Sequence, residues 1–212
     1  MASSWAFSKA EREAVYRALL TRRDIRHFRP DPIPEEVLER LYQAFHAAPS
    51  VGLTQPWALV EIRERATKER VFALHQKARA RERVLFQGKA QQVYDRLRLE
   101  GLLEAPLHLA VFQRPVARSL GHHTMPETLA YYSVVLAVGN LWTAARAEGI
   151  GVGWVSILDP EAVARLLGAP PGYRLLAYLC LGYPRAWPDE PLLERAGWRR
   201  REPLLRYRER FP

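Results

Sequence analysis

Arg22, Arg23 and Arg26 fall within five positions, with a single carboxylate, Asp24, among them and Ile25 and Phe28 alongside. A guanidinium presents several donors in a fixed plane, a geometry that suits phosphate oxygens. The stretch therefore reads as a holder of a phosphate-bearing cofactor, or else as a charge cluster at a helix end. The isolated acid and the isoleucine favour the first reading, because a solvated charge run needs neither. A second polar set lies in the loop from Ala48 to Trp57, which contains Pro49, Ser50, Gly52, Thr54, Gln55 and Pro56. Its Ser, Thr and Gln side chains can hydrogen-bond a ligand or serve ordinary turn chemistry. The pair His122-His123 has poor spacing for one metal ion and no Cys or carboxylate cluster near it, so no metal site is expected.

The elements that must position these residues are legible in outline. Ser8 and Glu11 form a capping-box pattern that opens a helix to about Leu20, with Ala14, Val15, Ala18 and Leu19 on one face. Pro34-Glu35-Glu36 starts a second helix, whose apolar face is Val37, Leu41, Ala44, Phe45 and Ala48. Residues 64–104 read as charged helices broken near Gly88, either an inserted arm or lid or a plain solvated pair. Residues 126–148 form the longest helical pattern, apolar on more than one face, which implies a central core helix or a dimer interface. Gly139 inside it costs roughly 1 kcal/mol against Ala, and a close backbone approach would explain it. Strands are expected near 58–62, 107–112, 152–157 and 174–181, with His108 and Cys180 read as core residues. Gly149, Gly151 and Gly153 alternate into the third strand and would let a flat ring or a helix approach the backbone. From Tyr183 on, prolines such as Pro184, Pro188, Pro191 and Pro203 and the run Trp198-Arg199-Arg200-Arg201 describe an extended tail, 184–212, with little core of its own. It is expected to wrap something, such as a partner subunit. The chain reads as one α+β domain over 1–212, helices around a sheet, without repeats.

Composition narrows the classes. Hydrophobic residues make up 48% of 212, enough for a real core, and the single cysteine excludes an internal disulfide framework. The first residues lack the basic-then-apolar layout of a signal peptide, and no apolar run approaches the roughly 18 residues of a membrane span. The cytoplasm is the expected location. The formal charge is +9, and all but four of the 32 basic residues are arginine. That balance attracts anions. The charges are nevertheless interleaved with acids, as in Glu61-Ile62-Arg63-Glu64-Arg65, and neither zinc-finger spacing nor a phosphate loop is present. Neither nucleic acid nor a membrane is the expected partner.

Taken together, the motifs resemble the FMN-dependent nitroreductase superfamily. They are similar to its 5,6-dimethylbenzimidazole synthase (BluB) branch at Thr21-Arg22-Arg23-Asp24-Ile25-Arg26, Ala48-Pro49-Ser50-Val51-Gly52, Gln55-Pro56-Trp57 and Leu99-Glu100-Gly101. The likeness continues at Asn140-Leu141-Trp142 and from Ala145 through Ser156. Asp24 replaces the usual serine of ordinary nitroreductases, and Leu53 stands where they usually carry asparagine; both changes point towards that branch.

The resemblance implies a nitroreductase-like fold, with a central, mostly antiparallel sheet surrounded by helices, and a homodimer with FMN at the subunit interface. It implies that Arg22, Arg23 and Arg26 hold phosphate and ribityl oxygens, helped by Arg199 or Arg201 of the tail. Asp24, Ile25, Pro49, Ser50, Gln55, Leu109, Asn140, Gly153 and Ser156 would complete the cofactor site. The implied reaction is an oxygen-dependent fragmentation of reduced FMN, a substrate rather than a mere cofactor. It gives 5,6-dimethylbenzimidazole, the lower ligand of cobalamin, and erythrose 4-phosphate, with a separate flavin reductase as the source of reduced FMN. Asp24 and Ser156 would be the catalytic pair, Asp24 as a base kept ionised by its arginine neighbours and Ser156 as a donor to the ring edge. Asp24 could instead only pair with Arg22 or Arg26. The alternative activity is an NAD(P)H-dependent nitro- or quinone reductase that recycles its flavin.

Overall fold

The capping box at Ser8 is formed. Ser8 Oγ accepts from the Glu11 amide at 3.3 Å, and the Ser8 amide donates back to Glu11 Oε2 at 2.8 Å. It opens α1 (Lys9–Thr21) in a computed structural model that describes residues 5–97, 101–117, 120 and 128–203. The remaining elements are α2 (Glu35–His46), a 3-10 turn (Val51–Leu53), β1 (Trp57–Ile62), α3 (Arg65–Arg83), α4 (Gly88–Arg96) and β2 (Leu107–Gln113). They are followed by α5 (Leu129–Ala147), β3 (Gly151–Trp154), α6 (Pro160–Leu166), β4 (Arg174–Gly182) and α7 (Leu192–Arg195). The four strands form one antiparallel sheet in the order β1-β2-β4-β3.

Both faces of that sheet are buried, and the period of two sorts its side chains. On β2, Leu107, Leu109 and Val111 join Leu38, Leu41 and Phe45 of α2 and Val134, Val138 and Leu141 of α5. His108, Ala110 and Phe112 point the other way, with Ala110 and Phe112 joining Val71 of α3, Val163 of α6, Tyr178 and Cys180. His108 is fully buried, and its Nδ1 lies 2.9 Å from the Tyr178 hydroxyl. Burial, and then the nearby Lys68 charge, push its pKa down to about 3, so the ring is neutral.

Three expectations change. On α1 only Ala18 is buried, while Val15 and Leu19 of the expected apolar face stand 46% and 50% exposed, so most of that face is left uncovered by the described residues. The helix α3 is docked rather than solvated. It buries Val71, His75 and Lys68, whose Nζ donates to the carbonyls of Ala105 at 3.0 Å and Pro106 at 2.6 Å. The third strand stops at Trp154, which leaves Ser156 beyond it. The tail through residue 203 lies on its own chain: Trp198 packs edge-on against Phe86, with ring centroids 5.1 Å apart. Trp187 Nε1 donates to the Thr21 carbonyl at 2.8 Å.

The alternating glycines have a different reason from the expected ring or helix. The arginine segment runs beside the free edge of β3, with the Ile25 amide donating to the Val152 carbonyl at 3.0 Å. A Cβ on Gly153 would sit 2.2 Å from the Ile25 carbonyl oxygen, and one on Gly151 would sit 2.9 Å from the Ile25 side chain. It is the chain's own backbone that approaches.

Among the described residues no helix is long and apolar enough to cross a membrane, and no group of three or more His, Cys, Asp or Glu could hold a metal ion. His122-His123 and Leu99-Glu100 lie outside the described residues.

Candidate functional site

A strand edge exposes one side of whatever pairs with it, and the segment beside β3 uses that side to open onto two cavities. The smaller, of about 360 Å³, is lined by Arg22, Arg23, Asp24, Arg26, Glu82, Ser156 and Arg201, and closed by Tyr94, Leu97, Trp198 and other apolar groups. The larger, of about 880 Å³, shares Asp24 and Arg26, takes in Ile25, and adds Arg96, Arg185 and Arg195. Asp24 and Arg26 thus form a wall common to both.

That wall is tightly bonded. Arg26 Nη2 donates to Asp24 Oδ2 and, at 2.8 Å, to the Trp154 carbonyl, while Asp24 Oδ1 accepts the Trp154 amide at 2.9 Å. Arg26 keeps 9% of its side-chain surface, and its Nε and Nη1 are buried without a hydrogen-bond partner. A buried unpaired donor costs roughly 1–3 kcal/mol, so these N–H groups call for acceptors from a ligand. Asp24 retains 35% of its side-chain surface towards the cavities. Burial nevertheless raises its pKa above the usual carboxylate range, outweighing the pull of Arg26, the Trp154 amide and Arg22. Burial therefore works against the arginines that were expected to hold it ionised.

Arg22 lies over the Trp142 ring, 4.7 Å from Cζ to the centroid. Burial, and then the neighbouring Arg201, lower its pKa. Two guanidiniums held side by side are the arrangement an anion relieves. Arg23 plays another part. Its guanidinium donates to the carbonyls of Leu20 at 3.0 Å, Arg22 at 2.7 Å and Asp189 at 3.2 Å, so it ties backbone together.

The other expected residues divide by place. Ser156 is exposed at the mouth of the smaller cavity, and Arg201 lines it, whereas Arg199 lines neither cavity. Ile25 buries its side chain in the core at 3% exposure, and Gly153 lies beneath its carbonyl. Leu109 is wholly buried against α2 and α5 and lines neither cavity. Pro49, Ser50, Gln55 and Asn140 gather elsewhere, around the C-terminal end of α2. Asn140 Nδ2 donates to the Ala44 carbonyl at 3.2 Å, Ser50 Oγ accepts the Gln55 amide at 3.0 Å, and Gln55 Nε2 sits 3.2 Å from His46 Nε2. The turn between them is tight, with Gly52, Leu53 and Gln55 all at positive φ. None of these four lines either cavity. Asn140 and Trp142 are two positions apart, about 200° around the helix, so they face opposite sides of α5. Residue-type reasoning singled out neither Arg96, Arg185 and Arg195 of the larger cavity nor Trp142, whose ring lies under Arg22; the signal for Trp142 was only its spacing from Asn140 on an over-apolar helix.

Residues 19–183 match the family model described as the nitroreductase family. The chain belongs to the nitroreductase family. A 5,6-dimethylbenzimidazole synthase of Rhodobacter capsulatus is 45% identical over 200 residues, 93% of this chain and 96% of that protein. A protein of the same name from Rhodospirillum rubrum is 46% identical over 200 residues, 93% of this chain and 94% of its own. Among solved structures, oxidized iodotyrosine deiodinase bound to FMN and 3-iodo-L-tyrosine superposes with a TM-score of 0.74 at 26% identity. The match covers 92% of this chain and 99% of that one. A BluB-like flavoprotein from Clostridium difficile 630 gives a TM-score of 0.70 at 19% identity, over 93% and 99% of the two chains, and shares the fold. The α+β, nitroreductase-like architecture read from the motifs is thus the architecture of the family.

Proposed function

We propose that this protein is a 5,6-dimethylbenzimidazole synthase, acting on reduced FMN and dioxygen to release 5,6-dimethylbenzimidazole and erythrose 4-phosphate. The observation that carries the reading is Asp24, a carboxylate set among the arginines of one cavity that also faces the second, part-exposed and with its pKa raised by burial. Proteins of that name, nearly half identical over almost the whole chain, support it.

The residues present fit FMN. Arg22 and Arg201 suit a phosphate, the unpartnered Nε and Nη1 of Arg26 suit ribityl or ring oxygens, and the Ser156 hydroxyl can donate to the ring edge. FMN when bound supplies the reduced ring that reacts with dioxygen and the ribityl chain that is cut. Asp24 accepts and returns a proton beside the first ribityl carbon. A carboxylate raised towards neutrality by burial is a stronger base than a free one, and it can also serve as the acid in the following step.

The active unit is a homodimer. Pro49, Ser50, Gln55 and Asn140 of the partner subunit face the arginine cavity, because one chain keeps the two sets apart. Exposed apolar residues of α1 and α5, including Tyr16, Leu19, Tyr132 and Leu136, provide the surface for pairing. Arg23 is a backbone tie in this scheme, and α4 with the tail forms the movable cover. The setting is a reducing cytoplasm, in keeping with the lone cysteine, and a separate reductase supplies reduced FMN.

The test is anaerobic reduction of the bound FMN, exposure to air, and chromatography for the benzimidazole. Wild type yields it. Asp24→Asn retains FMN but loses about 10²–10⁴-fold in product rate, the range typical of a lost general base. Wild type that returns intact FMN and no benzimidazole points to an NAD(P)H-dependent reductase, the activity class named by a relative such as the NADH dehydrogenase of Thermus thermophilus, 30% identical over 183 residues.

A further inference from the structure

Two indoles grip the arginine segment from behind. Trp142 places its ring under the Arg22 guanidinium at 4.7 Å and donates from Nε1 to the Arg23 carbonyl at 3.3 Å. On the far side Trp187 donates from Nε1 to the Thr21 carbonyl at 2.8 Å. Its ring in turn carries the Arg146 guanidinium at 4.1 Å, and Arg146 Nε donates to Thr21 Oγ1 at 2.9 Å. With Arg23 holding the carbonyls of Leu20 and Arg22, every carbonyl from residue 20 to 23 has a donor. The backbone that presents Arg22 is therefore fixed at successive positions.

The stack decides what Arg22 can offer. A guanidinium bound by its face to an aromatic ring keeps its N–H groups in the plane, and so directs them sideways. Among the described residues the Arg22 side chain donates no hydrogen bond, and it lines the smaller cavity beside Arg201. Trp142 lines neither cavity, so it can influence a ligand there only through what it holds. We propose that Trp142 is a positioning residue for phosphate recognition: its ring sets the plane of Arg22, and its N–H bond to the Arg23 carbonyl fixes the ring, so that the N–H edge of Arg22 meets the phosphate of FMN. The role rests on the FMN reading above, and it assigns the affinity for the phosphate to a side chain that does not touch it.

The experiment compares two ligands that differ only in that phosphate. The apo-protein is titrated with FMN and with riboflavin by flavin fluorescence. The variants are Trp142→Leu, Trp142→Phe, Arg22→Ala and the double variant Arg22→Ala/Trp142→Leu. Trp142→Leu should raise the FMN Kd about tenfold, the order of a lost partly desolvated cation–π contact, and leave the riboflavin Kd unchanged. Trp142→Phe keeps the face and loses the N–H, and should raise the FMN Kd only roughly threefold. In the Arg22→Ala background, Trp142→Leu should add no further loss, because the group it acts through is gone. Equal weakening of both ligands, or a full additional loss on top of Arg22→Ala, would reduce Trp142 to a packing residue and overturn the proposal. Should Trp142→Leu not fold, the FMN-to-riboflavin ratio of Trp142→Phe decides in the same way. A wild type that binds neither ligand removes the FMN reading and the positioning role together, whereas a wild type that binds FMN with unselective Trp142 variants removes the second alone.

Discussion

Arg22 and Lys68 carry the same charge in opposite circumstances. Lys68, in a stretch that reads as a charged arm, is 8% exposed and donates to two backbone carbonyls, so its removal would test folding rather than anion binding. The suitable comparison is Lys77, exposed on the same helix. Arg22→Ala should weaken FMN binding about 10- to 100-fold, the range of a lost charge-assisted hydrogen bond, with Lys77→Ala near wild type. Equal weakening would make the charge generic steering. His108 gives a pH dependence with a definite sign. Its folded pKa, about 3, lies below the unfolded value of 6.5, so between those limits the unfolded chain binds the extra proton. Stability is therefore lost as pH falls through that window, at up to about 1.4 kcal/mol per pH unit. Denaturant midpoints from pH 6 to 4 should fall less steeply in His108→Asn than in wild type. At this scale the arginine cluster was legible because phosphate chemistry is local in sequence. The direction of the Asp24 pKa shift was not, because the groups that bury its carboxyl come from elsewhere in the chain. Both faces of β2 are buried, so alternation could not separate core from cavity wall at Leu109.

The glycine-rich entry to β3 and the capping box of α1 show what element-level patterns fix and what they leave open. The box was readable in four residues because its reciprocal bonds are local. The glycines announced a close approach, yet the approaching partner, the Ile25 backbone, lies more than a hundred residues away in sequence. The two positions differ in a way that can be measured. Gly153→Ala places a methyl against a backbone oxygen and should cost roughly 1–3 kcal/mol or more by denaturant unfolding, and weaken FMN binding by displacing the arginine segment. Gly151→Ala meets the Cβ and γ carbons of Ile25 at 2.9–3.0 Å, a shallower clash than the 2.2 Å approach at Gly153, and should cost less. Equal costs would mean that the segment does not press on β3 as described.

At the scale of the whole molecule, α1 and α5 present apolar side chains that the described residues leave largely exposed, among them Leu20 at 70% and Tyr132 at 52% exposure. Gly139 lies on the same helix as Tyr132, and a Cβ there would meet nothing within 4 Å. In an isolated chain Gly139→Ala would gain about 1 kcal/mol of helix propensity. If α5 packs on a second copy, the added methyl should instead weaken association. Sedimentation should find a wild-type dimer that persists at micromolar concentration and a Gly139→Ala dimer that dissociates more readily. A stable wild-type monomer that binds FMN would end the composite-site reading. The over-apolar helix could be recognised from sequence as core or interface, but not which of its faces served which purpose, since helical spacing carries no label for a partner.

Cys180 sits in the middle of β4, wholly buried, with its thiol pushed up to about 12 by that burial. Thiolate is the reactive form, so at neutral pH this sulfur is closed to alkylating reagents and to peroxide alike. Because it is the only cysteine in the chain, an exposed change such as Lys77→Cys would create the molecule's one addressable thiol. A dye or spin label placed there could follow the α3 and α4 helices while flavin turns over in air, without first stripping the protein of its native sulfur.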